Sequence, residues 1–549
     1  MPTNHEMKEL ELPETPVLVF DCNFHDGHVE RWSTHAVTVA SDTYRASIVT
    51  HNLFEMRALS DEGIDAVARL GITLANADSY YSQVGSSHGW KGARLTVRFM
   101  FYDLANHRPA TDPVIVFRGV ANSPDTITES EFRLSFSNRL NLQRILLPEV
   151  RIQKRCPWIF PATQLQRIEG ITGGTKGSYS RFFRCGYSAG EPNGTGNLLN
   201  GQPYVSCDYN RASCEERGMF SSDSAAAITR RFGGIEFVPA SVLVRGYGDK
   251  QSHASAVLDN EAKYNDFVPL VYGTAWCEPP VVLARNDGNL TRMEVLLGMG
   301  EMQSLLKVLV NNVEIPVAQP GTNMTATGWF NFFSSGNRTG NFNLDFAGSS
   351  GNPLGDPYGS MAYMSLVVPN RISDGRALPQ VKVLVEGLKL DQFAQDSAFV
   401  KTEFTNNPAW VLLDVLRRSG WDLDEIDLTS FKKTADFCGD AIETKDLHGN
   451  TVSVPRMQTN LVIRRRRSAA EVLRGIRTAS ATFLTFGIDG KLCLNAESTI
   501  AQQQPTKPEG SNAIEQLNGG WPAYEFGDGS SSFSGILRKE SGEASTEEP

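Results

Sequence analysis

The sequence predicts a mainly β protein with a smaller α/β module towards its C-terminal end. Three observations carry that expectation. Apolar and polar residues alternate with period two over 16–145 and again over 240–392. A Gly/Asn/Ser-rich stretch between these regions holds four of the eight cysteines. Two capped helical patterns follow residue 400. At 549 residues the chain is too long for one core, which points to several domains. Their expected spans are 1–148 (an N-terminal β-barrel), 149–240 (a Cys-rich domain), 241–392 (a second β-rich domain), 393–500 (an α/β module of helices and a hairpin) and 501–549 (a polar C-terminal segment).

The first region opens with "PVLVFDCNFHDGHVERWS", two β-rich runs around Asp26-Gly27, a strong hairpin signal. "ARLTVRFMFYDL", "DPVIVFRGVA" and "ITESEFRLSFSN" follow as strands, and "DEGIDAVARL" hints at a short helix. From Arg151 to about Pro239 the composition changes: "GITGGTKGSYS" and "GEPNGTGNLLNGQP" offer few large aliphatics for a core. The β character returns in "ASVLVRGYG", "FVPLVYGTAW", "PPVVLAR", "LLKVLVNNVEIPVA", "MAYMSLVVPN" and "PQVKVLVEGLKL". In "NNPAWVLLDVLRRSG", Asn407 is the expected N-cap, Pro408 takes the first helical position and Gly420 lies past the end. "SAAEVLRGIRTASA" opens on a capping box, Ser468 to Glu471, and "TFLTFGIDGKLCLN" reads as a hairpin around Asp489-Gly490. The last 49 residues are polar and Gly/Ser/Glu-rich and are expected to be partly disordered.

A composition of 40% apolar and 21% charged residues is that of an ordinary globular protein. The net charge of −10 argues against general affinity for nucleic acid, which needs a basic face. No apolar run reaches the ~18 residues of a membrane span, and the opening has no signal-peptide core, so synthesis in a cytoplasm and no stable membrane insertion are expected. Several motifs are weak. Lys176 in "GITGGTKGS" is preceded by Thr and followed by Gly, not the Gly-Lys-Ser/Thr of a phosphate loop. Cys22, His25 and His28 have a metal-like spacing but straddle a hairpin turn, which points them in different directions. "RRRR" at 464–467, in an acidic protein, reads as a solvated or subunit-contacting surface, and Cys438 as a buried small hydrophobe. No Ser/His/Asp or Cys/His constellation can be assembled by spacing.

Cys156, Cys185, Cys207 and Cys214 fall within 59 residues, separated by 28, 21 and 6 residues. Thiols made in a cytoplasm tend to stay reduced, so clustering favours metal or catalysis. Four thiolates suit tetrahedral zinc or an iron–sulfur cluster, while two disulfides or unrelated cysteines remain open on spacing alone.

"RCPWIF", "RCGYSAG" and "CDYNRASCEERGMF…RRFGGIEFVP" resemble the C-terminal part of the minor tail protein L family of lambda-like siphophages, and the preceding barrel is similar to that family's N-terminal domain. "FVPLVYGTAW" and "VKVLVEGLKLDQF…FTNNPAWVLLDVLRRSGWDLDEIDLTSFKKTADFC" resemble the hub part of J-type tail attachment proteins. Together the resemblances cover roughly 1–500 and imply an L-type half fused to a J-type half. They imply a [4Fe–4S] cluster on Cys156, Cys185, Cys207 and Cys214, with zinc as the runner-up. They further imply a virion structural protein, not an enzyme, at the distal end of a long non-contractile tail. Three copies of a hub with two barrels would match a sixfold tube to a threefold tip. The implied partners are a distal tail ring protein, the tape measure protein and central fibre or receptor-binding tip proteins, with DNA only in transit through the lumen. The alternative is a tail-associated cell-wall hydrolase, against which the missing nucleophile–base pair speaks.

Overall fold

The computed structural model describes residues 14–24, 26–53, 69–138, 145–161, 163–169, 198–217, 232–236, 264–286, 290–315, 330–333, 361–369, 379–487 and 490–498, together with 4, 7, 142, 185, 187, 189, 358–359, 506–507, 516 and 519–521. The protein is mainly β and divides into two compact units. One comprises Met1–Leu142, Asp424–Asp427 and Ala481–Pro549; the other comprises Gln143–Leu423 and Leu428–Ser480. The segment tested as a phosphate loop, the run "ASVLVRGYG" and most of the C-terminal segment lie outside the described residues.

In the first unit the strands are β1 (Thr15–Asn23), β2 (Val29–Ser33), β3 (Val37–Val39), β4 (Asp42–Tyr44), β5 (Ile48–His51), β6 (Arg69–Ala75), β7 (Arg94–Asp103), β8 (Arg108–Pro109), β9 (Val114–Ala121), β10 (Thr126–Ile127) and β11 (Glu131–Asn138). They build an antiparallel sheet in the order β2-β1-β7-β9-β11-β6-β5, with β8 on β7, β10 on β11 and β3–β4 as a separate hairpin. A parallel bridge between Trp32 and Arg45, supported by Ser33 N–H donating to the Arg45 carbonyl at 2.8 Å, joins β2 to the chain entering β5. The continuous apolar run in β1 is explained by burial on both faces. Leu18, Phe20 and Cys22 face a core with Trp32, Ile72, Leu95 and Phe132, while Val17 and Val19 face a second with Val37, Tyr44, Met100 and Tyr102. Between β1 and β2 the expected Asp26-Gly27 turn is present, with Gly27 at φ +89°.

The helix hinted at over 61–70 falls largely outside the described residues, and Arg69 and Leu70 begin β6. The helix observed in this unit, Tyr80–His88 ("YYSQVGSSH"), has poor helix-forming composition and is held by tertiary contacts instead. Tyr81 and Val84 enter the core with Trp32 and Phe132, and the buried Asn76 side chain accepts a hydrogen bond from the Tyr81 N–H at 3.1 Å.

The second unit contains β12 (Leu146–Leu147), β13 (Leu198–Leu199), β14 (Gln202–Pro203), β15 (Leu270–Tyr272), β16 (Thr274–Cys277), β17 (Val281–Asn286), β18 (Leu290–Met299), β19 (Met302–Val310), β20 (Val313–Ile315), β21 (Phe330–Phe333), β22 (Met361–Pro369), β23 (Val381–Phe393), β24 (Phe399–Phe404), β25 (Ala441–Lys445), β26 (Thr451–Pro455), β27 (Leu461–Ile463) and β28 (Arg467–Ser468). One sheet runs β16-β23-β19-β20 with β24 on β23, and another runs β17-β18-β22-β21. Both line a single core that includes Met293, Val295, Leu305, Val308, Met364 and Val383. Small ladders pair β12 with β28, β13 with β14, β15 with β27, and β25 with β26.

The helix Pro408–Arg418 begins as expected: Asn407 Oδ1 accepts from the Ala409 N–H at 3.1 Å, with Pro408 at the first position. It is buried on every side, packed between β23 and the helices Leu428–Gly439 and Ala469–Ala479. Its charges are paired inside: Arg417 with Asp391 (2.5 Å), and Arg418 with Asp414 (2.8 Å) and Glu149 (2.6 Å), while the Tyr272 hydroxyl donates to Asp414 (2.7 Å). Burial first, and then the Asp414 carboxylate, push the Tyr272 phenol well above its usual pKa.

The hairpin expected around Asp489-Gly490 forms as β29 (Thr482–Phe486) and β30 (Leu492–Ala496). It groups with the first unit, although the sequence assigned it to one 393–500 module with the helices. The physical reason is local contact: Ile426 bridges Leu492, Asp427 N–H donates to the Leu492 carbonyl at 2.9 Å, and a Cβ on Gly490 would lie 2.8 Å from Ile115 of β9.

Candidate metal centre

Cys156, Cys185, Cys207 and Cys214 all lie in the second unit. The backbone holds them in place. Cys156 N–H donates to the Tyr209 carbonyl at 2.7 Å, and Cys185 N–H donates to the Ile159 carbonyl at 3.1 Å. Cys214 is buried on the short helix Arg211–Glu216, whose N-cap Asn210 accepts from the Ser213 N–H at 2.7 Å. Cys207 and Cys185 are half-buried against an aromatic cluster of Phe160, Tyr187 and Tyr204. Phe160 stacks on Tyr187 at 5.3 Å, and the Tyr187 hydroxyl accepts from the Tyr204 N–H at 2.9 Å.

Two of the sulfur atoms accept hydrogen bonds, one of them from a guanidinium. Cys156 Sγ accepts from the Gly233 N–H at 3.4 Å. Cys207 Sγ accepts from the Tyr209 N–H at 3.3 Å and from Arg217 Nη1 at 3.2 Å. The buried Arg217 also donates to the Ser206 and Ser213 carbonyls at 2.8 and 3.1 Å, and its guanidinium lies 4.6 Å from the Tyr204 ring centroid. Burial pushes the Cys156 thiol up to about 11; the Gly233 and Trp158 N–H groups oppose that rise, and the neighbouring Cys185 and Cys207 add to it. Cys185 and Cys207 are therefore each within electrostatic reach of Cys156, and Arg217 spans from Cys207 to the Ser213 carbonyl beside Cys214.

The "CPW" and "FGG" segments lock together through absent side chains. A Cβ on Gly233 would lie 2.2 Å from Trp158 Nε1, and one on Gly234 would lie 2.3 Å from the Lys154 carbonyl. Ile235 N–H donates to the Gln153 carbonyl at 2.8 Å, completing the seam.

As they stand, among the described residues, no three His, Cys, Asp or Glu side chains form a group that would hold a metal ion. No disulfide links any of the cysteines. The donor chemistry nevertheless suits a thiolate-bound centre: sulfur ligands select zinc or iron–sulfur, and N–H donors and a guanidinium stabilise the charge of bound thiolates.

The other cysteines are dispersed. Cys22 sits in the core with Trp32 and Phe132, and Cys277 in the second core, where burial raises its thiol to about 12. Cys438 is buried on Leu428–Gly439 with its thiol raised to about 11, and Cys493 lies on β30 near Asp427. His25 is outside the described residues, while His28 pairs with Glu30 at 2.8 Å and stacks on His88. Arg464–Arg467 are exposed between β27 and Ala469–Ala479, with Arg464 3.0 Å from Glu278. Sequence reasoning missed Arg217, and held Gly233 only as part of the quoted "RRFGGIEFVP" segment. The available signal was Asn210, whose capping of a helix places Cys214 and Arg217 about one turn apart.

No protein-family model and no curated protein matches the chain. Among solved structures, the virion of a native gene transfer agent particle aligns with 26% of this chain and 34% of its own, at 17% identity and a TM-score of 0.19. The matched portion is thus about a third of that chain, and a likeness of this size bears on neither fold nor function. Among the described residues no helix is long and apolar enough to cross a membrane.

Proposed function

We propose that the protein is a structural component of a phage-like virion: a hub at the distal end of a long non-contractile tail, stapled by a [4Fe–4S] cluster on Cys156, Cys185, Cys207 and Cys214. The observation that supports this reading is that two sulfurs of the family-like segments meet donors, Cys207 Sγ the Arg217 guanidinium and Cys156 Sγ the Gly233 N–H of the Gly233–Trp158 seam. When bound, the cluster supplies cross-linking of separate loops, since metal-binding free energy acts as folding free energy. The chain's own part is to donate N–H groups to the sulfurs of Cys156 and Cys207, to balance thiolate charge with Arg217, and to screen the site with Phe160, Tyr187 and Tyr204. Its role is structural rather than enzymatic. Three copies form the ring, contacting a distal tail ring protein, the tape measure protein and central fibre or tip proteins, with DNA in transit through the lumen.

Protein purified without oxygen should be brown and carry roughly four irons per chain. Cys→Ser at any of the four positions should bleach it and loosen the 149–240 segment. Stoichiometric zinc without iron would overturn the cluster and leave the ligand set standing. Electron microscopy of purified tails should find three copies at the tip; six, or none, would refute the hub.

A further inference from the structure

Two features of the second unit are incomplete on their own and complementary to each other. The first is the β25–β26 hairpin. All of β25 and alternate residues of β26 are exposed, and among the described residues no third strand joins them. A lone two-stranded hairpin is marginal in water. Its root is fixed, with Arg456 N–H donating to the Asp440 carbonyl at 2.9 Å, Met457 N–H to the Cys438 carbonyl at 3.0 Å, and the Arg456 guanidinium over Phe437 at 4.6 Å. Its tip carries Leu447, fully exposed, beside the half-buried Asp446, whose carboxylate accepts from the His448 and Asn450 N–H groups of its own turn at 2.9 and 2.8 Å, while Glu443 on β25 is exposed.

The second feature is a cleft of about 400 Å³ between β27 and the helix Ala469–Ala479, walled by Leu461, Ile463, Val472, Gly475, Ile476 and Ala479. Arg467 lines both this cleft and an adjoining bay of about 400 Å³ that also holds Arg464, Arg465 and Glu278. Glu278 is already engaged by Arg464 (3.0 Å) and Lys382 (3.3 Å). Among the described residues Arg465 and Arg467 form no ion pair. β27 is paired with β15 on one edge, and no described strand takes the other. Beside Gly475 there is open space where a side chain would project.

We propose that the 441–455 hairpin of one copy docks into the 458–479 cleft of a second copy. The apolar tip would sit against the helix and β27, and its carboxylates (Asp446, with Glu443 behind it) would face Arg465 and Arg467. The cleft sets apolar walls beside Arg467, with Glu471 also on its lining and Arg465 in the adjoining bay, and the hairpin brings an exposed leucine together with Glu443 and Asp446. A contact joining two different surfaces of the same chain is heterologous and can close a ring. The inference stands on these two surfaces and does not depend on the cluster or the tail assignment.

The test uses the full chain, with benzoylphenylalanine in place of Leu447 in a tagged copy mixed with untagged protein. On illumination, the tagged chain should cross-link to 458–479 of the untagged chain. Recipients carrying Gly475→Leu, or Arg465→Glu with Arg467→Glu, should capture it roughly tenfold less or worse. Gly475→Leu places a good helix former where space is open, so its thermal midpoint should not fall, which separates a blocked cleft from a misfolded chain. Cross-links confined to the tagged chain itself, cross-links indifferent to both variants, or none at all would each overturn the proposal.

Discussion

Arg217→Met would remove the donor to Cys207, two carbonyl contacts and the guanidinium over Tyr204 together. Buried hydrogen bonds from a charged group are worth about 1.5–3 kcal/mol, and a loss of that order in urea unfolding is expected. Arg217→Lys, which keeps the charge without the fork, should recover part of it. In iron-loaded protein, Arg217→Met should also shift the cluster potential to more negative values, because a lost cation and donor disfavour an added electron. A second expectation concerns alkaline pH in metal-free protein. Burial keeps the thiols of Cys156 and Cys438 neutral up to about 11 and that of Cys277 up to about 12, against 9.0 for an ordinary thiol. A raised folded pKa contributes stability that is complete below the unfolded value and is lost as pH climbs through the folded one. Urea midpoints should therefore fall from about pH 9 upward, and Cys277→Ala should flatten the slope; an unchanged slope would refute the account. Gly233→Ala must move Trp158 and should cost about 1–3 kcal/mol. The cysteines were legible in the sequence because thiols are scarce and clustered. Arg217 and Asn76 were not, because their partners are backbone atoms and sulfurs brought close only by the fold.

At the scale of elements, end signals were the most readable. Asn407 and Ser468 act locally, and each caps its helix as expected, with Pro408 in the first position of its helix. Trp410 packs against Phe393 of β23, with ring centroids 6.4 Å apart, and Trp410→Ala should cost about 3–5 kcal/mol by chemical denaturation. The same helix also hides what sequence could not show. Asp414, Arg417 and Arg418 would ordinarily mark a solvated face, yet all are buried and paired. Asp414→Ala would strand Arg418 with Glu149 and leave the Tyr272 hydroxyl short of its acceptor, a change of the kind that costs about 3–5 kcal/mol. Replacing Arg418 by methionine should be equally damaging unless Asp414 is made apolar with it. The helix Tyr80–His88 was invisible for the opposite reason: Gly85 is a poor helix former, but it gives Trp90 room to lie against the helix.

For the whole molecule, β content was legible from alternation, which is a sum over many residues. The grouping of distant segments was not, since it depends on a few contacts such as Gly490 with Ile115 and Asp427 with Leu492. A chain ending at residue 480 should consequently lose hydrogen-exchange protection in β9 while β19 and β23 keep theirs. Equal protection in both would show that the late hairpin contributes nothing to the first unit.

That first unit is assembled from stretches separated by hundreds of residues in the chain. Synthesis is vectorial, and domains generally fold as they emerge. Here the N-terminal sheet leaves the ribosome early but must wait for Asp424–Asp427, and then for the hairpin ending at Ala496, before Ile115 is covered. For most of translation the nascent protein exposes that patch, which makes the interval between the first and last strands the time when a chaperone or a premature partner can intervene.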